Sequence, residues 1–128
     1  MLRAICLVAM LAAPAPAIAV AQEVPESADI ITSRAPGVLL RGLDKVSGRT
    51  TDIALEVGEA ARYGRLEIRL GECRYPAADP TSDAFAQLTI SDLRRNERLF
   101  TGWMIASSPA LSALDDARYD VWVISCQS

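Results

Sequence analysis

Between Val38 and Cys126 the apolar positions recur at every second residue in short runs separated by Gly, Pro, Asp and Ser, the pattern of antiparallel strands with one buried face. Residues 38–46 predict a first strand, Ser47-Gly48 a turn, and residues 51–57 a second strand in which Ile53, Leu55 and Val57 share a face, so the two read as a hairpin. Residues 64–70 give the clearest half-buried strand, with Leu66, Ile68 and Leu70 inward and Arg65, Glu67 and Arg69 outward. Cys73 falls out of step with that inward set, which predicts a bulge at Gly71 that turns the cysteine toward the core. Residues 75–83, with Pro76 and Pro80, read as a loop; residues 84–90 resume as a strand with Ala86, Leu88 and Ile90 on one side, and residues 92–97 turn the chain. Residues 99–106 and 119–126 carry apolar side chains on both faces, as covered strands do. Between them, Ser108 as a cap, Pro109 in the first turn, and Leu111 and Leu114 three apart predict one short helical segment. The pattern as a whole predicts an all-β protein, a small antiparallel β-sandwich or barrel of about six or seven strands.

The residues before this pattern are of another kind. Arg3 supplies a basic start, residues 4–13 are apolar, and Ala19-Val20-Ala21 offers small residues at the two positions a signal peptidase reads. A signal peptide is therefore expected over residues 1–21, with cleavage after Ala21 and a periplasmic destination. Pro14 and Pro16 interrupt the apolar stretch and alanine dominates it, so no stable membrane anchor is expected after cleavage. Ile5 stands before Cys6 where a lipid-modification signal wants a small residue, which argues against a lipoprotein. Residues 22–37, polar and interrupted by Pro25 and Pro36, read as a flexible lead-in to a single β domain over residues 38–128. With Cys6 removed, Cys73 and Cys126 are an even pair with one possible intramolecular pairing, and a disulfide is expected. Closing so long a loop stabilises by roughly 4 kcal/mol on the chain-entropy account. The alternative of a redox pair finds no CxxC-like spacing to support it.

Composition narrows function by exclusion. The 128 residues include no His, and 13 Lys and Arg face 16 Asp and Glu for a net charge of −3. Without imidazole this chain cannot assemble a Ser-His-Asp or Cys-His mechanism, and His-dependent metal sites go with it; no metal or cofactor is expected. The net charge and the absence of any basic block argue against nucleic acid as a partner and against attachment to anionic lipid. Ser107-Ser108-Pro109 reads as a helix cap, since the lone lysine, Lys45, stands in no SxxK spacing that would make a Ser-Lys dyad. Asp115 and Asp116 are neighbours whose side chains diverge, and they read as the solvated end of the helical segment; Asp79 and Asp83 lie on a loop with too few oxygens for calcium. Asp44, Lys45 and Arg49 bring opposite charges together around the first hairpin, as a surface ion pair or as a polar recognition edge. Trp103, Met104 and Trp122 are the one aromatic concentration. Core packing is their default, but Trp103 and Met104 are adjacent on a strand, so one of them faces away from the core and is available to a partner.

In order along the chain, GLDKVSGRTTDI at residues 42–53, RYGRLEIRLGEC at 62–73, FTGWMIASSPALSALDD at 100–116 and YDVWVISC at 119–126 resemble a bacterial exported family known as domain of unknown function 2155. The resemblance runs from Arg41 to Cys126, with Ser47 where the family pattern has Thr and Ile105 where it has Phe. It implies a small envelope protein bearing both matched cysteines, and it implies no activity, cofactor or catalytic residue. Residues and resemblance together lead us to expect a non-catalytic periplasmic binding or scaffold module with an envelope protein partner. The alternatives are a hydrolase that acts on cell-wall sugar with carboxylates alone, or an inhibitor that inserts residues 75–83 into another enzyme.

Overall fold

The computed structural model of the chain describes residues 9–19 and 30–128. Cys6, the expected cleavage point after Ala21 and residues 22–29 of the lead-in lie outside the described residues. Residues 9–19 form neither helix nor strand and are exposed throughout.

From Thr32 onward eight strands follow: β1 (Thr32–Ala35), β2 (Gly37–Asp44), β3 (Thr50–Glu56), β4 (Ala60–Tyr63), β5 (Leu66–Pro76), β6 (Phe85–Asp92), β7 (Glu97–Ile105) and β8 (Tyr119–Gln127). They make two antiparallel sheets, a larger one ordered β1-β5-β6-β7 with β4 also on β5, and a smaller one ordered β3-β2-β8. The alternating positions close the space between them. Val38, Leu40, Ile53, Leu55, Val121 and Val123 from the smaller sheet meet Leu66, Ile68, Leu70, Ala86, Leu88 and Ile90 from the larger in one buried cluster. Of the sandwich and the barrel that the period-two pattern allows, the architecture is the sandwich, in which each sheet removes its apolar face from water against the other.

Eight strands stand where about six or seven were expected, and the two that no apolar run announced, β1 and β4, both lie along one side of β5. That strand is eleven residues long, so one side of it accommodates β4 opposite Leu66–Arg69 and β1 opposite Cys73–Pro76. Neither short segment carries an apolar alternation of its own, and both are made by the backbone donors and acceptors that β5 would otherwise leave unpaired. Strand β1 corrects the expectation of a flexible lead-in up to residue 37: Ser33 pairs with Tyr75 and Ala35 with Cys73, and Gly37 already opens β2. The chain thus passes from one sheet to the other at Pro36.

The register of β5 on β6 slips between Leu70 and Glu72, the bulge expected at Gly71. Beyond it Cys73 faces inward, 1% exposed, and bonds to Cys126 on β8 with the Cα atoms 5.8 Å apart. The disulfide therefore joins the two sheets. The expected helical segment is a four-residue 3₁₀ turn, Pro109–Ser112. Ser108 stands before it but its hydroxyl caps nothing, and Leu111 is exposed while Leu114 is buried, so the two leucines do not share a face as expected. One 3₁₀ turn is too short to carry an apolar stripe.

Removing the cross-link should loosen the packing of sheet on sheet. The Cys73→Ser/Cys126→Ser double variant is expected to lose about 2–5 kcal/mol in urea unfolding. A midpoint equal to that of the parent chain would show that the sheets hold together without the bond.

Candidate functional site

Three connections at one end of the sandwich are built with the same chemistry, an aspartate whose carboxylate accepts from backbone N–H groups two or three residues further on. In the β2–β3 hairpin Asp44 Oδ1 accepts from the N–H of Val46, at 3.0 Å, and of Ser47. In the β6–β7 hairpin Asp92 Oδ1 accepts from the N–H of Arg94 and Arg95 at 2.9 and 3.1 Å. Ahead of β8, Asp116 Oδ2 accepts from the N–H of Arg118 and Tyr119 at 3.0 and 2.8 Å. Such side-chain turns replace ladder hydrogen bonds where strands end.

Two arginines knit these turns together. Arg65, just before β5, donates from Nε to Asp92 at 2.8 Å and from Nη2 to Asp116. Arg118, just before β8, holds Asp44 through Nε and Nη2 at 3.4 and 3.1 Å. Both guanidinium carbons lie 5.2 Å from the centre of the Tyr119 ring, within cation–π range, and Tyr63 meets the same ring edge-on at 5.2 Å. Lys45 closes the ring of contacts, donating from Nζ to the Asp116 carbonyl at 2.7 Å. Two glycines make room for the aromatics. A Cβ on Gly42 would come within 2.6 Å of the Tyr63 ring, and Gly64, at φ +57°, would drive one into the Tyr119 phenol.

The electrostatics follow from these contacts. The Arg65 hydrogen bond holds the Asp92 carboxyl below the usual carboxylate range against the opposing effect of its burial, and the Arg118 hydrogen bond does the same for Asp44. For Asp116 burial pushes upward, but the N–H groups of Tyr119 and Arg118 and the Arg65 charge outweigh it and hold the carboxyl down. Burial raises the Tyr63 phenol, and the Asp44 charge adds to the shift. Asp92, 1% exposed, is the one buried charged residue among those described, and no buried side-chain polar atom among them lacks a partner.

In front of this network opens a cleft of about 500 Å³ lined by Arg62, Gly64, Arg65, Leu93, Arg94, Arg118 and Tyr119. Arg62 on β4 and Arg94 in the β6–β7 turn are exposed and have no acidic partner among the described residues.

The residues singled out in the sequence are distributed differently. Asp44 and Lys45 join the network, whereas Arg49 is exposed in the hairpin turn and engages through its backbone alone, its carbonyl accepting from the Asp44 N–H and its own N–H donating to the Ser47 hydroxyl. The ion pair across the hairpin falls three positions earlier, between Arg41 and Asp52 at 2.8 Å, and both groups are exposed to solvent that screens it. Trp103, Met104 and Trp122 form no single aromatic patch. Met104 points into the core, 3% exposed, and leaves the set of partner contacts; Trp103 is 39% exposed on β7 of the larger sheet, and Trp122 is half-buried beside Arg41 on the smaller. Asp116 is a half-buried ion partner and not the solvated helix end expected of it; Asp115 is exposed. Arg65, read as an outward position of the alternation, turns into the network because it precedes the strand. At the opposite end of β7, Ser107 donates its hydroxyl to Asp83 Oδ2 at 2.6 Å, which fastens residues 77–84 to the sheet. Asp92, Arg94 and Tyr119 went unnoticed in the sequence; the signal available was an aspartate at the last position of β2 and of β6 and another three residues before β8.

Fold and site together define a disulfide-linked, two-sheet β-sandwich with an arginine–aspartate–tyrosine cluster closing one end. The chain belongs to the family described as an uncharacterized protein conserved in bacteria (DUF2155), whose model matches residues 38–126. It is similar to Uncharacterized protein RP359 of Rickettsia prowazekii, 29% identical over 87 residues that cover 66% of this chain and 56% of that relative's length. The chain thus spans little more than half of the curated relative it matches. No solved structure matches it. The four sequence segments that carried the family resemblance supply Asp44, Lys45, Tyr63, Gly64, Arg65, Asp116 and Tyr119 to the cluster.

Because the folded state holds the carboxyls of Asp44, Asp92 and Asp116 below their unfolded values, their contribution to stability is complete above about pH 4 and is lost as pH falls through the lower folded values. Urea midpoints measured from pH 6 to pH 2 should therefore drop in the acid range, and a flat profile would contradict the ion network. Gly64→Ala should cost more than about 1 kcal/mol by the same measurement, since it adds left-handed strain and a Cβ against Tyr119.

Proposed function

We propose that this protein is a non-catalytic binding or scaffold module of the bacterial cell envelope that acts after export and cleavage of its leader. The observation that carries the reading is the state of the carboxylates nearest the cleft. Asp44, Asp92 and Asp116 each accept from an arginine and from two backbone N–H groups and are held in their charged form, so none can serve as the proton donor that carboxylate-only sugar hydrolysis requires. Stiffness at the same end supports recognition in place of turnover, because side chains locked by hydrogen bonds present a fixed surface at little entropic cost. An inter-sheet disulfide is consistent with an oxidising compartment, and the leader-like residues 1–21 agree with it.

Crosslinking in intact cells followed by mass spectrometry should recover an envelope protein with this chain. Repeated recovery of none would sink the binding module. In parallel, the purified full chain should release no reducing ends from cell-wall polymer over a range of pH; release that disappears in an Asp116→Asn variant would establish the hydrolase instead.

A further inference from the structure

The charged side chains that wall the cleft at the ion cluster are all cations: Arg62, Arg65, Arg94 and Arg118 line it with Gly64, Leu93 and Tyr119, and among the described residues no carboxylate does. The aspartates that neutralise part of this charge stand behind the wall. They use Nε and Nη2 of Arg65 and of Arg118, and Nη1 of each guanidinium donates to nothing among the described residues. Since no buried side-chain nitrogen there lacks a partner, the free nitrogen of Arg65 lies on the solvent side. Two guanidinium groups are thus fixed in place by carboxylates and by the Tyr119 ring with donors left over, while Arg62 and Arg94 stand at the rim with their forks unused. This differs from an ordinary solvated charge run. The four side chains come from β4, the approach to β5, the β6–β7 turn and the approach to β8, and like charges from four separate elements converge on one concavity in a chain whose net charge is negative.

We propose that this cleft is a binding site for a compact phosphate-bearing ligand, a diphosphate or a pair of neighbouring phosphomonoesters. The proposal rests on the binding-module reading of the same end of the fold and gives it a ligand class. Arginine forks match phosphate oxygens in bidentate fashion, and donors arriving from several directions suit a tetrahedral group better than a planar carboxylate, which one fork satisfies. A volume of about 500 Å³ is ample for two such groups. The pinned arginines supply geometry and the rim arginines supply uncompensated charge, so affinity should reside mainly in Arg62 and Arg94. The same phosphate chemistry can be offered by a free molecule or by a headgroup at a membrane surface.

The test uses the full chain and pyrophosphate, titrated at low ionic strength by calorimetry and by amide NMR. Saturable binding is expected, with shifts centred on Gly64, Arg94 and Tyr119 and an affinity that falls as salt rises. The Arg62→Ala/Arg94→Ala variant removes two exposed side chains that hold nothing else, so it should keep the parent's melting temperature while binding at least about tenfold more weakly. Arg34→Ala/Arg69→Ala, which removes exposed arginines of β1 and β5 away from the cleft, should bind like the parent. Absence of saturation, an equal loss in both double variants, or citrate binding as tightly as pyrophosphate would overturn the phosphate site. Co-sedimentation with phosphatidylglycerol vesicles that pyrophosphate competes away, and that fails in the Arg62/Arg94 variant, would support it with a headgroup as the source; competition between pyrophosphate and soluble phosphosugars without vesicle binding would support it with a free ligand. If pyrophosphate fails while crosslinking still recovers a protein partner, the phosphate site falls and the binding module stands. Phosphate binding with no crosslinked partner would leave the cleft and remove the scaffold role.

Discussion

Arg65 is the side chain on which the two sheets depend at one end of the molecule. Its guanidinium reaches Asp92 at the close of β6, Asp116 ahead of β8 and the Tyr119 ring at the start of β8, so a single planar group ties the larger sheet to the smaller. At the other end of the same two strands, Cys73 of β5 and Cys126 of β8 make the covalent tie. Strands β5 and β8 lie in different sheets, yet they are fastened to each other at both ends, once by charge and once by sulfur. A domain of this size buries only about two-thirds of the surface of its unfolded chain, and the two ties add to what sheet packing supplies.

The price of placing Asp92 out of contact with water is met entirely locally. A buried carboxylate without partners would take up a proton or unfold the turn; here two backbone N–H groups and Nε of Arg65 satisfy it. The same logic repeats at Asp44 and Asp116, with the consequence that acid groups face inward and cation faces outward. An acidic chain thereby acquires a positive concavity. Net charge describes the field far from a protein, while recognition reads the side chains at one wall.

How much of this was legible in the sequence can be seen from particular residues. Ile53 and Leu55, Leu66 to Leu70, and Ala86 to Ile90 announced their strands and their inward faces, because side-chain alternation is a property of each strand alone. Gly71 announced its bulge through the odd step to Cys73. Residues 32–35 and 60–63 announced nothing, since their extended form comes from pairing with β5 and not from their own side chains. Trp103 and Trp122 looked like neighbours in chemistry, but parity and sheet membership send them to separate sheets.

The sequence by itself determined the all-β class, the inward face of the main strands and the pairing of Cys73 with Cys126, all of which depend on periods and counts along one chain. Only the tertiary structure decided that Asp44, Asp92 and Asp116 would stand behind Arg65 and Arg118, with Arg62 and Arg94 in front. Charged groups far apart in sequence carry no periodic mark of the neighbour they will meet; their roles follow from which turns the packing of two sheets brings to the same end.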